Sequence, residues 1–524
     1  MISSLTVCRN PRAVMRIACL VLLGTGTVLA DTLWTRSYSG PYGGDEAARV
    51  VLPDTFANVV VVGSSNGESG TGGNDFVVIK YSWFHGNTLW TRRITGRDTS
   101  DDVAQAAAID SLGVVTVTGQ SGKYPNYDML TVQLNPNGSE LWRATYDGTA
   151  HGGDVGTAIA VDTAGSVFVA GYTQNATSDY VTIKYNWDGS RAWTKTYDGG
   201  DDKPTDIALG PDGSVYVTGN SGTVKYSSAG VQQWVQSGGI SHATALVVDE
   251  SGSVYVTGSV PAPGMTTYPA TVKYDSAGTQ KWADVYQHPQ GQGAALARGA
   301  SALYVAGMAE GAAGDVDYIT IAYDYGTGDT LWVRRDSGPA GSYDAAVGIA
   351  VGSDSAIWVA GSSNYDFVTV LYTPDGVKHW VETYGSPGDD QMAAMALDKD
   401  NHVIVTGITW AGASYDLITV AFDTIGPGVA EPPSRKPLSG LRFSLAPNPS
   451  VSGYASLRLG TANAGAAKVT VFGADGRAVL TQTIKASGTD GTHQLNLSRQ
   501  RAGVYMVRLE SGGRSATQKL VVEH

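Results

Sequence analysis

Residues 179–193 read DYVTIKYNWDGSRAW, and the pattern returns at 317–332 as DYITIAYDYGTGDTLW and at 366–380 as DFVTVLYTPDGVKHW. Each copy runs through β-branched and aromatic residues, turns at a short glycine-containing stretch, and ends on a tryptophan. Runs of this kind separated by D-G or A-G turns indicate antiparallel hairpins, and no segment sustains a helical period. Asp and Gly serve such turns because both tolerate the left-handed backbone conformation.

Outward from these copies the tryptophan recurs as Trp34, Trp90, Trp142, Trp193, Trp234, Trp282, Trp332 and Trp380, at separations of 56, 52, 51, 41, 48, 50 and 48 residues. A second marker is a glycine ending a β-branched run such as VVTVTG or SVFVAG: Gly63, Gly119, Gly171, Gly219, Gly258, Gly307, Gly361 and Gly407. Between markers each unit reads as four strands, as in TDIALG, SVYVTG, TVKY and QQWVQS. A four-stranded unit of about 40–50 residues repeated in this way predicts the blades of a β-propeller. The first strand after residue 31, TLWTRSY, is a lone tryptophan strand, whereas the eighth unit stops at LITVAFD without one. If the tryptophan strand is the outermost of each blade, the two ends of the repeat region complete one blade and close the ring. The expectation is an all-β chain with an eight-bladed β-propeller, seven being the alternative count.

Repeats 154–185 and 205–226 resemble secreted bacterial β-propeller repeats of the form A-x-x-V-x-x-D-x-x-G-x-V-Y-V-T-G followed by D-Y-x-T-x-K-Y. That resemblance covers roughly residues 31–423 and implies a propeller but no common enzyme activity. The stretch TIGPGVAEPPSRKPLSG then reads as a Pro-rich linker, 424–440. Residues 441–524 carry LAPNPS (445–450), VTVFGADGRAV (469–479), LNLSRQRAGVYMVRL (495–509) and KLVV (519–522), in an order that resembles the C-terminal sorting domain of the type IX secretion pathway. The resemblance implies a partner, the outer-membrane secretion machinery, reached through residues 441–524. About seven short strands there suggest a small immunoglobulin-like β-sandwich.

At the other end, Arg9, Arg12 and Arg16 precede the apolar run IACLVLLG, and VLA ends at Ala30; residues 1–30 read as a signal peptide. No later segment is long and apolar enough to span a bilayer as a helix. Both cysteines, Cys8 and Cys19, fall within those thirty residues, which excludes disulfides and thiol chemistry from the rest. With 35 basic against 48 acidic side chains the formal charge is −13, so nucleic acid is not expected as a partner. The expected location is outside the cell or on the outer-membrane surface.

Two acidic positions recur. One, 17 residues before the anchor glycine, holds Glu46, Asp102, Asp154, Asp202, Asp344 and Asp390, with Ser241 and Gln290 in the fifth and sixth copies. The other begins the third strand, at Asp75, Asp128, Asp179, Asp317, Asp366 and Asp416. In a four-stranded meander both lie at the same face of the ring, where the links between second and third strands also vary in length. Variable loops on a uniform scaffold are where binding resides, so the expected ligand face comprises Glu46, Asp102, Asp154, Asp202, Asp344, Asp390 and Trp410. Fixing the turn before the strand is the competing role for these acids. The densest acidic cluster, Asp198, Asp201, Asp202 and Asp206, is the candidate calcium site, since calcium takes six to eight oxygens; no other cofactor is expected.

Catalytic constellations are lacking. GSSNG at 63–67 fits the G-x-S-x-G pattern, but no helix follows it. The eight histidines form no H-E-x-x-H pair. AYDYGTGDTLW (322–332) resembles the tryptophan-docking repeats of quinone-dependent dehydrogenases, which place a vicinal disulfide at the cofactor. The sequence therefore points to a non-catalytic scaffold for a glycan or protein ligand. The alternative is a polysaccharide hydrolase or lyase using two of the acidic-face carboxylates.

Overall fold

A computed structural model describes residues 32–422, apart from positions 57, 67–72, 84, 97–99, 312–313, 338–342 and 387, together with most strand residues between 443 and 522. The expected signal peptide and the linker 424–440 lie outside the described residues. The chain divides into two compact units, Met1–Gly428 and Val429–His524.

The first unit contains eight four-stranded antiparallel sheets. Blade 1 comprises Glu46–Pro53, Asn58–Asn66, Asn74–Ser82 and Thr88–Ile94 in that order. Blades 2 to 7 repeat this meander over 101–146, 154–197, 204–236, 242–285, 292–336 and 344–384. Blade 8 takes three strands from 390–422, and its outer strand is Thr32–Tyr38, which pairs antiparallel with Tyr415–Phe422. Inner strands pack in sequence from blade to blade, and that of blade 8 returns to that of blade 1. The ring is closed as the sequence implied, leaving no blade without its fourth strand.

Each anchor glycine has a specific cause. Opposite it, every inner strand carries a bulge, as between Ala48 and Val50 in blade 1 or Ala243 and Ala245 in blade 5. The bulge thrusts a carbonyl toward the second strand: a β-carbon on any of the eight glycines would stand 1.9–2.2 Å from a backbone oxygen, such as that of His242 beneath Gly258. Only glycine fits there.

The blade cores lie between neighbours. Ala158, Phe168, Ala170 and Tyr180 of blade 3 pack with Ile207, Val215, Val217, Val224 and Tyr226 of blade 4. Seven tryptophans extend this packing at the rim. The indole N–H of Trp34, Trp90, Trp142, Trp193, Trp234, Trp282 and Trp332 donates to a carbonyl in the turn of the next blade at 2.6–3.2 Å. The glycine of that turn, at positive φ, lies flat on the indole. Trp380 faces blade 8, whose outer strand arrives from the far end of the chain without such a turn, and instead packs edge-on to Trp358 and Phe422.

In the second unit seven strands form a three-stranded and a four-stranded sheet. Leu457 and Leu495 of the first sheet share one core with Val469, Val471, Val507, Leu509 and Leu520 of the second, a two-sheet sandwich.

Candidate functional site

Register places the two acidic positions in one row at one end of each blade. Glu46 lies opposite Ser65, which lies opposite Asp75; Asp154, Thr173 and Asp179 form the same row in blade 3. Blade 6 alone is one residue shorter before its anchor: Gly293 pairs with Gly307, so the equivalent position is Gly291 rather than Gln290.

The six acids at the start of the inner strands are buried, none more than 2% exposed. Their environment explains why. Glu46 accepts from the Gly40 amide at 2.8 Å, Asp102 from Gly96 at 2.6 Å, Asp154 from Gly148 at 2.8 Å and Asp390 from Ser386 at 2.5 Å. Asp202 accepts from Gly199 and from the Ser221 hydroxyl. Each carboxylate thus ties the incoming loop to the sheet. Burial pushes the carboxyls of Glu46, Asp102, Asp154 and Asp202 above their usual range despite these donors.

Across the seams the acids meet in pairs, the third-strand acid of one blade beside the inner-strand acid of the next. Asp416 raises the Glu46 carboxyl, Asp75 that of Asp102, and Asp128 that of Asp154. Counter-charge stands at the seams after blades 1 and 6, where Arg93 binds Asp75 at 2.7 Å and Arg335 lies 3.5 Å from Asp317.

The four aspartates of the densest cluster do not act together. Asp198 adds negative charge beside Asp202, and Asp201 is exposed on the loop. Asp206 points away to blade 5, accepting from the amides of Leu246 and its own neighbour Ile207, each at 2.8 Å. Trp410 is 41% exposed and packs edge-on against Tyr415 at 5.1 Å, so one side of its indole is covered.

On the same acidic face, a cleft of about 310 Å³ opens along blades 6 and 7. Its lining includes Tyr318, Asp344, Ser363, Asn364, Asp366, Lys378 and Thr383. Tyr318 is 2% exposed, yet its hydroxyl has no hydrogen-bond partner. Burial, reinforced by Asp344 and Asp336, holds that phenol well above its usual range, so it stays a protonated donor. At the lip, the hairpin Asn364-Tyr365 has both residues at positive φ, 48° and 67°. Such a turn ordinarily takes Asn-Gly; here a tyrosine 61% exposed occupies the position that glycine fills more cheaply.

Sequence reasoning placed Asp344 and Asp366 at the acidic face but missed Tyr318 and Tyr365. Tyr318 looked like one more strand aromatic. Tyr365 was detectable, since N-Y replaces N-G between two strand patterns. Also missed was Trp187, 72% exposed beside a cleft of about 480 Å³ at the opposite, turn end of blades 2 and 3. Blade 1 has Trp83 at the equivalent position, but blades 2, 4, 5, 6 and 7 have Pro136, Ser228, Ser276, Tyr325 and Pro374, so the turn does not require an indole.

Residues 444–523 match the family described as the secretion system C-terminal sorting domain. No curated protein sequence matches the chain. Among solved structures, the Sqt1 protein from Chaetomium thermophilum is similar at a TM-score of 0.51 with 12% identity, over 76% of this chain and all of that one. The Dos1 propeller is similar at 0.50 with 9% identity, over 75% of this chain and 95% of that one. A fungal alcohol oxidase of the AA5 family in complex with copper matches at 0.45 with 14% identity, over 94% of this chain and all of that one. The likenesses to the Sqt1 protein and the Dos1 propeller establish the fold alone. The sorting domain implies export, with release or attachment at the outer-membrane surface. Among the described residues no helix is long and apolar enough to cross a membrane.

Proposed function

We propose that this β-propeller, exported by way of a secretion system C-terminal sorting domain, is a non-catalytic binding scaffold that takes a polyhydroxylated ligand, a cell-surface glycan, in the cleft of blades 6 and 7. The observation that carries this reading is the Tyr318 hydroxyl, buried and unpartnered in the cleft wall. Buried polar atoms without partners are rare, and this one belongs to a residue of the cleft wall, which supports an acceptor bound there. Around it Asp366, Asn364, Ser363 and Thr383 offer the mixed donors and acceptors that sugar hydroxyls need. Tyr365, exposed and next to the cleft-lining Asn364, offers an apolar ring face, a means of stacking on a sugar. The non-catalytic part is supported by the inner-strand carboxylates: those of Glu46, Asp102, Asp154, Asp202 and Asp390 each hold a loop amide and are buried away from the surface.

The test is calorimetric titration of the full-length chain with bacterial cell-surface polysaccharides, alongside Tyr318→Phe and Tyr365→Gly. Tyr318→Phe removes a single oxygen and is expected to weaken binding about fivefold to tenfold, the worth of one hydrogen bond. Tyr365→Gly relaxes the turn, so it should retain or raise stability while losing affinity. Equal binding by wild type and both variants, or no binding of any polysaccharide, would remove the glycan reading and leave a protein ligand. Release of reducing ends that disappears in Asp366→Asn would instead establish the hydrolase.

A further inference from the structure

The cleft at the turn end of blades 2 and 3 has a filled counterpart one seam earlier. In blade 1, Lys80 stands opposite Trp90 and is buried; its Nζ pairs with Asp54 Oδ2 at 2.8 Å and donates to the Pro136 carbonyl, in the turn of blade 2, at 3.4 Å. Lys225 and Lys273 repeat the second contact, donating to the Ser276 and Tyr325 carbonyls of the following blades at 3.0 and 2.9 Å. An ammonium at the turn carbonyl of the next blade is thus a recurrent way of closing a seam.

Blade 2 keeps the acceptors and lacks the ammonium. Asp110 stands where Asp54 stands, its Oδ1 accepting the amides of Leu112 and Val114 as Asp54 Oδ1 accepts those of Phe56 and Asn58. The residue opposite Trp142 is Gln133, shorter and uncharged, and its amide donates to Thr116 at 3.1 Å. Among the described residues no basic side chain pairs with Asp110. The Trp187 carbonyl, equivalent to that of Pro136, takes the Trp142 indole at 3.2 Å and has no lysine. Elsewhere acid and base are kept or lost together. Blades 3 and 5 have Asp162 with Lys184 and Asp249 with Lys273; blades 6 and 7 have Ala322 and Leu371 opposite their tryptophans, and Gly299 and Gly352 in place of the acid. In blade 8, where Ala421 stands opposite Trp34, Asp398 pairs with His402 at 2.8 Å. Blade 2 has the acid with neither lysine nor histidine.

Beside Gln133 lies the cleft of about 480 Å³, whose charged lining residues, Asp110 and Asp162, are both acidic. Leu112, Leu141 and Trp187 also line it and are exposed, and the exposed Phe56, beside Gly113, extends the apolar surface toward blade 1. Carboxylates among apolar and aromatic side chains complement a lysine, which has an apolar stem and a charged head.

We propose that this cleft docks a polypeptide partner through a lysine, whose ammonium takes the place that Lys80 holds one seam earlier, between the Asp110 carboxylate and the Trp187 carbonyl, with its stem against Leu112, Leu141 and Trp187. The partner is a protein rather than an amino sugar because the exposed apolar side chains continue beyond the cleft to Phe56, as a protein interface requires. The site is independent of the cleft of blades 6 and 7.

The test titrates the full-length chain with a blocked peptide carrying one lysine between leucines, read by calorimetry at millimolar peptide. The same peptide with its lysine acetylated, and an oligosaccharide of deacetylated glucosamine, are the comparisons; both should bind about tenfold more weakly or worse. Asp110→Asn keeps the oxygen that holds the turn, as Asn135 does in the outer turn of the same blade, so it should fold normally and weaken the peptide about tenfold. Trp187→Ser, with the residue that blades 4 and 5 use there, should weaken it about fivefold. Gln133→Lys restores the internal ammonium and should abolish binding, whereas Asp198→Asn, an exposed acid on the opposite face, should bind like wild type. No heat with the lysine peptide, equal binding of the acetylated peptide, tighter binding of the sugar, or binding untouched by both Asp110→Asn and Gln133→Lys, overturns the proposal.

Discussion

The indole N–H of Trp34 donates to the carbonyl of Trp83 at 2.6 Å. Trp34 is on the first described strand, the outer strand of blade 8, and Trp83 is in the turn of blade 1, so this bond joins the two blades that close the ring. The same core holds Leu417 and Ala421 of blade 8 against Val59, Val61 and Tyr81 of blade 1. Removing residues 32–38 should leave Tyr415–Phe422 as an unpaired edge and the turn of blade 1 without its indole. Exposed edges of this kind associate. Light scattering after gel filtration should therefore find the shortened chain oligomeric or aggregated, and a monomer with the native unfolding midpoint would show that closure is dispensable.

The seven docked tryptophans predict a second outcome, most cleanly at Trp234. Its N–H reaches the Ser276 carbonyl at 3.1 Å, Gly278 lies on its face, and Tyr216 and Tyr274 flank it. Trp234→Ala empties this socket and should cost about 3–5 kcal/mol. Trp234→Phe keeps a ring and leaves the Ser276 carbonyl its second donor, Lys225 Nζ at 3.0 Å, so the expected cost is nearer about 1 kcal/mol. Denaturant unfolding of both variants measures the difference, and equal losses would mean that the hydrogen bond adds nothing.

Much of this architecture was legible because repetition averages out local ambiguity. A single SVYVTG is an uncertain strand, but eight tryptophans and eight glycines at fixed order specify a blade. The glycines were read only as strand-end markers; that each avoids a carbonyl raised by a bulge was invisible, because a bulge has no signature apart from the register it disturbs. Acidic positions were legible as a row, while their pairing across seams required three dimensions. Asp206 was grouped with Asp198, Asp201 and Asp202 by proximity in sequence, and its place on the inner strand turned its carboxylate to a different blade. Tyr318 escaped notice because an orphan hydroxyl is a property of surroundings rather than of a motif.

Gly258 tests the bulge directly. A methyl group there would meet the His242 carbonyl oxygen at 2.0 Å, with the Ala243 α-carbon behind it at 2.7 Å, and backbone cannot rotate aside as a side chain can. Gly258→Ala is expected to destabilise the propeller by about 2–3 kcal/mol or more through overpacking. Gly200, whose β-carbon would meet nothing within 4 Å but whose φ is 136°, separates the two effects: Gly200→Ala should show the smaller loss of backbone strain alone. Unfolding midpoints in the same buffer give the ranking, and a tolerated Gly258→Ala would mean that the inner strand shifts freely.

Asp206 gives the pH dependence. In the seven other blades the equivalent position, 13 residues before the anchor glycine or 12 in blade 6, is Val50, Ala106, Ala158, Ala245, Ala295, Gly348 or Ala394. One carboxylate therefore stands where the other inner strands carry an apolar residue or glycine. Burial pushes its carboxyl up to about 6, against the pull of the Leu246 and Ile207 amides. A folded-state value above the unfolded value of about 3.9 means that the folded chain holds this proton more tightly. The resulting stability is complete below pH 4 and lost as the pH rises through 6. Two units correspond to at most about 3 kcal/mol, and the partial exposure of the side chain to solvent lowers the figure. Unfolding free energies at pH 4.5 and 7.5 should thus differ less in Asp206→Ala than in wild type, with the gap developing between pH 4 and about 7. Glu46, Asp102, Asp154 and Asp202 are shifted in the same direction and remain in both proteins. Asp206→Ala should therefore retain part of the slope, and identical slopes in the two proteins would show that the Asp206 carboxylate is as well solvated folded as unfolded.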